Sequence, residues 1–146
     1  MSADVPIFVL DSFALLAYFE AEPAAARVKE VLVQAASGRA TVVLSTVNFG
    51  EVVYITERER GLATAQTVIG ALDQLPITLV DADRDLALAA AHVKAHHSVA
   101  YTDAYAIALA EQNVGVVLTG DPEFKAVEHL VAVEWLPQRT PDRLVG

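Results

Sequence analysis

The sequence predicts a three-layer α/β/α sandwich around a central, mainly parallel five-stranded sheet. Five short apolar runs, rich in valine and isoleucine, recur along the 146 residues. Most lack polar alternation, as strands buried on both faces do. Ala- and Leu-rich stretches with helical spacing separate the runs, and such alternation calls for right-handed crossovers onto a parallel sheet.

The first run, Ile7–Leu10, leads into a short helix over Ser12–Phe19 and a second over residues 23–36. The second has Pro23 in its first turn and Gly38 as its stop. Residues 41–44 form the second run, and Thr46–Arg60 and residues 62–75 form two helices split by Gly61. The third run covers residues 77–80, followed by a helix over 84–97 and another over 103–112, which ends near Asn113 and Gly115. The fourth run covers 114–118, and Pro122–Val127 has room for about one turn of helix. The last run, 131–135, is interrupted by Glu134, which suits an edge strand.

No internal repeat, low-complexity segment or linker divides the chain, so residues 1–146 are expected to form a single domain. Residues 137–146 are a polar tail with two prolines, free to fray or to dock on a partner. There is no cysteine, which excludes disulfides and thiolate metal sites. No apolar stretch reaches the roughly 18 residues of a membrane span. The first residues lack the basic start of a signal peptide, so a cytoplasmic protein is expected. The net charge of −9 opposes nucleic-acid binding by itself. A site that concentrates cations needs clustered acids, however, and ten basic residues remain to meet phosphates.

Four acids fall at one edge of the predicted sheet. Asp11 directly follows the first strand. Glu51 lies early in the helix after the second. Asp103 starts the helix that returns to the fourth strand, and Asp121 follows that strand in Leu118-Thr119-Gly120-Asp121. Open parallel sheets bind ligands at this edge, where strand order reverses. Carboxylates brought together would repel and take up protons unless a cation intervened. Their hard oxygens suit Mg²⁺ or Mn²⁺. Asn48, one turn before Glu51, together with Ser12 and Thr119, has the polar groups to orient a water, a carboxylate or a phosphate.

These segments resemble the PIN-domain nucleases, and among them the VapC-type toxins of bacterial toxin–antitoxin pairs. The matching stretches are Val9-Leu10-Asp11-Ser12-Phe13-Ala14, Ser45-Thr46-Val47-Asn48-Phe49-Gly50-Glu51, Thr102-Asp103-Ala104-Tyr105-Ala106 and Leu118-Thr119-Gly120-Asp121-Pro122-Glu123-Phe124. Together they span nearly the whole chain, from Ile7 to about Trp135. The resemblance implies a Mg²⁺- or Mn²⁺-dependent endoribonuclease in which water attacks the phosphodiester, leaving a 3′-hydroxyl and a 5′-phosphate. It maps Asp11, Glu51, Asp103 and Asp121 onto the family's acidic quartet and Thr119 onto its hydroxyl position. It also implies an RNA substrate, a homodimer and a small antitoxin covering the active-site groove.

Each residue also has a structural reading. Asp11 and Asp121 are placed to cap the helices after them, Asp121 with proline next in line. Glu51 and Asp103 sit among apolar residues, where an unpaired acid is costly and function is the better explanation. Asp81, Asp83 and Asp85 read as a helix start with Asp81 or Asp83 as the cap, and are excluded from the site. His92, His96 and His97 read as a polar helix end. Arg58 and Arg60 end the helix carrying Glu51 and are candidates for phosphate or antitoxin contact. Trp135, Tyr54 and Tyr105 read as core or dimer contacts.

Rival classes are an RNA-processing nuclease of the same fold outside a toxin–antitoxin pair, a DNA-directed nuclease, a non-catalytic regulatory domain, and a phosphate-handling domain of the response-regulator kind. The last would leave Glu51 and Asp103 without a task, and it lacks a lysine after the fifth strand.

Overall fold

The computed structural model describes residues 4–139, so most of the tail expected over 137–146 lies outside the described residues. Strands β1 (Ile7–Leu10), β2 (Thr41–Ser45), β3 (Thr78–Val80), β4 (Val116–Thr119) and β5 (Ala132–Trp135) form one sheet in the order β3-β2-β1-β4-β5. Every neighbouring pair is parallel. The connections are α1 (Ser12–Phe19), α2 (Ala25–Ala36), α3 (Thr46–Arg60), α4 (Leu62–Gln74), α5 (Arg84–His96), α6 (Tyr101–Asn113) and a 3₁₀ helix over Pro122–Val127. The chain builds outward from β1 to β3 and then returns to lay β4 on the other side of β1. Strand order therefore reverses between β1 and β4, which opens a crevice at their carboxyl ends.

The apolar runs are continuous because successive side chains feed opposite layers. Phe8, Leu10, Val42, Leu44 and Leu118 join the core under α1, α2 and α4, whereas Val9, Val43 and Val117 join the core under α5 and α6. Both edge strands are more open. Thr78 and Leu79 on β3 are exposed, which departs from the expectation of a run buried on both faces. On β5, Glu134 turns its carboxylate to Arg27 of α2, with Nε 2.6 Å and Nη2 3.1 Å from its two oxygens. The polar interruption in the last run is thus one half of a bidentate ion pair.

Three boundaries differ from the sequence expectation by two residues, and several others by one. Helix α2 starts at Ala25, because Pro23 belongs to the preceding turn, which the Ala25 N–H closes onto the Glu22 carbonyl. Helix α6 starts at Tyr101, so Asp103 is its third residue. Its cap, Ala100, has no side-chain oxygen to mark the start. Strand β4 starts at Val116 because Val114 adopts left-handed backbone (φ 50°) to end α6, with its N–H returning to that helix. Left-handed backbone is unusual for a β-branched residue. Gly38 (φ 77°) follows α2 as its stop, and Gly61 (φ 93°) separates α3 from α4.

Gly115 is needed for a different reason. A Cβ there would lie 2.9 Å from the Ile7 carbonyl oxygen and 3.3 Å from its Cγ2, where β4 enters beside β1. The obstacle includes backbone, so the strand itself has to move. Gly115→Ala is expected to destabilise the protein by about 1–3 kcal/mol, in the range of other overpacked sites. Denaturant unfolding would check this, and an unchanged midpoint would show that the entry of β4 yields freely.

Among the described residues no helix is long and apolar enough to cross a membrane.

Candidate active site

The crevice between β1 and β4 gathers acids from three connections. Asp11 follows β1 and caps α1, its Oδ1 accepting from the Ala14 N–H at 2.9 Å. It is 1% exposed. Its Oδ2 accepts a short hydrogen bond from the Thr119 hydroxyl at the end of β4. That hydroxyl accepts in turn from the Asp121 N–H at 3.0 Å. Asp121 caps the 3₁₀ helix, accepting from the Glu123 N–H at 2.9 Å, with Pro122 next in line. Capping therefore fixes the backbone at both acids, and Thr119 ties the two caps together across the strand-order switch.

Asp103 enters the same crevice from the first turn of α6 and is 7% exposed. One carboxylate oxygen each from Asp103, Asp121 and Glu123 lie within 4.8 Å of one another. Among the described residues this is the group of three or more side chains close enough to share a cation. Glu123 is held from outside the cluster as well, because its Oε1 accepts from the Ala100 N–H at 3.0 Å, just before α6. The sequence reading missed Glu123 as a site residue. The signal available was an acid at the second position of a proline-initiated turn, which reads equally well as a favourable helix-start charge.

Burial and like charge both act on these acids. Asp11 is pushed up to about 7, chiefly by loss of solvation and further by the charge of Asp121, against the hydrogen bonds from Thr119 and Ala14. Asp103 is pushed up to about 9, first by burial and then by the charges of Asp11 and Asp121. A hydrogen bond with Glu123 adds to the effect. Without a cation these groups hold protons near neutrality.

Glu51 stands beside this cluster, not within it. Its Oε1 accepts from the Ser12 hydroxyl at 2.5 Å and its Oε2 from the Thr102 hydroxyl at 3.2 Å. Asn48 is fully buried and braces the same corner, donating to the Thr102 carbonyl at 3.1 Å and to the Ser12 hydroxyl at 3.4 Å. Its own Oδ1 accepts from Ser45, the cap of α3. Ser12, Asn48, Glu51 and Thr102 thus pin the starts of α1, α3 and α6 to one another. Thr102 was not singled out from the sequence, since a threonine preceding an acid carries no distinctive pattern.

Other candidates lie elsewhere. Arg58 and Arg60 are seven and nine residues beyond Glu51, about 10–14 Å along the helix axis. Arg58 sits over the Tyr54 ring at 5.0 Å, and Arg60 lies 4.0 Å from Glu20. Tyr105 is buried, whereas Tyr54 and Trp135 are half-exposed and outside the core. Asp83 caps α5, accepting from the Leu86 N–H. His92 and His96 form one ring pair and His97 and His129 another. Among the described residues neither pair gains a third ligand.

Residues 8–130 match the family model described as the PIN domain. The chain belongs to the PIN-domain family. The match covers β1 to the approach to β5, and so includes every acid of the crevice. Solved structures with the same fold as this PIN domain include VapBC2 from Rickettsia felis bound to a DNA fragment from its promoter, with TM-score 0.70, 12% identity, and coverage of 90% of this chain and 99% of that one. A DNA-bound VapBC from Salmonella typhimurium gives 0.69 and 15%, with 89% and 98% covered. VapC20 of Mycobacterium tuberculosis, described as a toxin cleaving the sarcin–ricin loop, gives 0.59 and 19%, with 76% and 86% covered. No curated protein matches the chain.

The donor set of the crevice fits the hard divalent cation that the fold implies. It offers carboxylate oxygens without sulfur or imidazole, as Mg²⁺ and Mn²⁺ prefer. Two of its acids are raised, so a cation would replace the protons they otherwise hold.

Proposed function

We propose that this PIN domain is a Mg²⁺- or Mn²⁺-dependent endoribonuclease, acting as the toxin of a type II toxin–antitoxin pair. The observation that carries the reading is the convergence of Asp103, Asp121 and Glu123 within 4.8 Å, beside buried Asp11, at the strand-order switch. Asp11, Asp103 and Asp121 are the acids assigned to the metal, with Glu123 added to them. Glu51 completes the acidic wall from α3, held in place by Ser12 and Thr102. When bound, the cation would polarise the scissile phosphate and make water a better nucleophile near neutral pH.

The chain's own groups have distinct tasks in this reading. Thr119 fixes the Asp11 carboxylate and the Asp121 backbone relative to each other. Asn48 and Ser12 keep α3 and α1 from separating under mutual repulsion of the acids. Water adds to phosphorus as the bond to the 3′-oxygen breaks, so the products are a 3′-hydroxyl and a 5′-phosphate. The two VapBC complexes support a small antitoxin as partner, and VapC20 supports RNA as substrate. A homodimer belongs to the same proposal.

The test is cleavage of structured RNA, single-stranded RNA and single-stranded DNA of matching sequence, with Mg²⁺, Mn²⁺ or EDTA. RNA cleavage that requires metal and is lost in EDTA is expected. Cleavage confined to DNA would overturn the substrate assignment. Cleavage that persists in EDTA would overturn the metal. Absence of cleavage by folded, metal-loaded protein on all three substrates would leave a binding domain.

A further inference from the structure

Residues 137–146 are expected from sequence to be a polar tail, and the described ones, together with Leu136, form a strap across the Thr119–Asp121 turn. The Leu136 N–H donates to the Thr119 carbonyl at 2.8 Å, prolonging the β4–β5 ladder to the last residue of β4. The Leu136 side chain is buried in the core under α1 and α2. Pro137 follows and biases Leu136 toward extended backbone. Gln138 then donates from Nε2 to the Gly120 carbonyl at 2.5 Å. Arg139 ends the path on α1 and the turn after it, with Nη2 3.7 Å from Glu20 and Nε 3.5 Å from Glu22. Arg139 also lines a cavity of about 230 Å³ with Phe13, Leu16 and Ile55 among its walls.

The turn held by the strap is Thr119-Gly120-Asp121. From the other side it meets the Phe13 ring, which lies so close that a Cβ on Gly120 would fall 2.4 Å from it. Its Asp121 end is held by the cap and by the Phe124 N–H on the Asp121 carbonyl at 3.1 Å, and its Thr119 hydroxyl faces the crevice. Its carbonyls at 119 and 120 are both taken by the strap. Rotation of the Gly120 peptide would swing the Asp121 N–H off the Thr119 hydroxyl and disturb the hydroxyl's bond to Asp11.

We infer that the strap Leu136–Arg139 positions the metal-binding turn, with Gln138 as the positioning residue and Arg139 as the tether that keeps it there. Neither residue is bonded to the acids of the crevice: Gln138 acts through Gly120, and Arg139 acts by holding the strap on Glu20 and Glu22. The inference rests on the proposed roles of Asp121 and Thr119. It predicts that Gln138→Ala weakens Mn²⁺ binding by about 10-fold, the lower end of the range for residues that orient metal ligands. Turnover on RNA is expected to fall by a similar factor while KM stays within about twofold, since no RNA contact is removed. Gln138→Glu, which keeps the shape but sets a carboxylate without a donor against the Gly120 carbonyl, should lose at least as much as Gln138→Ala. Arg139→Ala should give a smaller loss, restored by Arg139→Lys because only charge is needed at Glu20 and Glu22.

The decisive experiment combines Mn²⁺ calorimetry with amide hydrogen exchange at Gly120 and Asp121 in the full chain. Faster exchange at Asp121 together with weaker Mn²⁺ binding in Gln138→Ala and Gln138→Glu is the expected result. Wild-type exchange and Mn²⁺ affinity in both variants would overturn the positioning role. A lowered melting temperature with unchanged Mn²⁺ affinity would equally reduce the strap to a structural clip. Neither readout needs catalysis, so a wild-type protein that cut no RNA would refute the nuclease reading and leave the strap to be judged on exchange and Mn²⁺ affinity.

Discussion

Asp103→Asn is expected to lower RNA cleavage by roughly two orders of magnitude or more, about 3 kcal/mol of transition-state stabilisation. The metal-free protein should melt no lower than the wild type. The first expectation follows from position, because Asp103 brings its carboxylate from α6 to oxygens of Asp121 and Glu123 contributed from beyond β4. The second follows from electrostatics. Asp103 is a buried acid raised by its own desolvation and by the charges of Asp11 and Asp121. Asparagine has nearly the same volume, carries no charge to desolvate and can still donate to Glu123. Single-turnover cleavage, Mn²⁺ calorimetry and melting in EDTA separate the two expectations. Near-normal cleavage by the folded variant would remove Asp103 from the mechanism. A fall of several degrees in the EDTA melt would make it a structural residue instead.

The fold was legible because its strands are buried on both faces. Val9 and Leu10 serve opposite cores, so β1 reads as an unbroken apolar run, and the same holds for β2 and β4. What escaped was local backbone that side chains do not announce. Ala100 caps α6 without a capping oxygen, and Val114 ends that helix in a conformation that valine rarely adopts. At the site, chain order alone was enough to bring Asp11, Asp103 and Asp121 to one edge. It did not reveal that Glu51 would be occupied by Ser12 and Thr102, or that Glu123 would stand nearer the other acids. Both outcomes depend on rotamers and on contacts between distant elements, 39 and 51 residues apart in sequence for Glu51 and 23 for Glu123. The strap escaped for a related reason: Gln138 and Arg139 look like any polar residues until β5 is paired with β4.

That division has a physical basis. Strand burial and helix capping are decided within a few residues, so pattern exposes them. A carboxylate cluster is decided by which helices start at the same sheet edge. Asp11, Glu51 and Asp103 lie at or near the starts of α1, α3 and α6, three helices that begin beside the β1–β4 crevice. The helix starts attract the acids and the strand-order switch concentrates them, but burial of Asp11 and Asp103 adds an energetic strain that only an added cation or bound protons relieve.

The second large effect is therefore a stability that falls with pH in the metal-free protein and loses that dependence when metal is bound. Asp11 and Asp103 have ordinary values of 3.8, raised in the folded protein to about 7 and about 9. Between the unfolded and folded values the folded chain binds more protons than the unfolded one, so stability falls as pH rises. The contribution is fully present below the unfolded value, is lost through the window up to about 7 for Asp11 and about 9 for Asp103, and changes no further above it. Each group adds at most about 1.4 kcal/mol per pH unit within its window. The metal-free protein should accordingly melt lower at about pH 9 than at about pH 6, with a shallower slope in Asp103→Asn. Saturating Mg²⁺ or Mn²⁺ should flatten the trend for the wild type, because the cation takes the place of the protons; the stabilisation it adds by mass action therefore grows as pH rises. Calorimetry in two buffers of different ionisation enthalpy would count the protons released on binding. Release that rises toward acid pH and vanishes above about pH 9 would fit titration of these two carboxyls. Equal melting slopes for the wild type and Asp103→Asn, with no proton release, would mean that Asp103 is already ionised in the folded protein and that the crevice needs no cation to hold its charges.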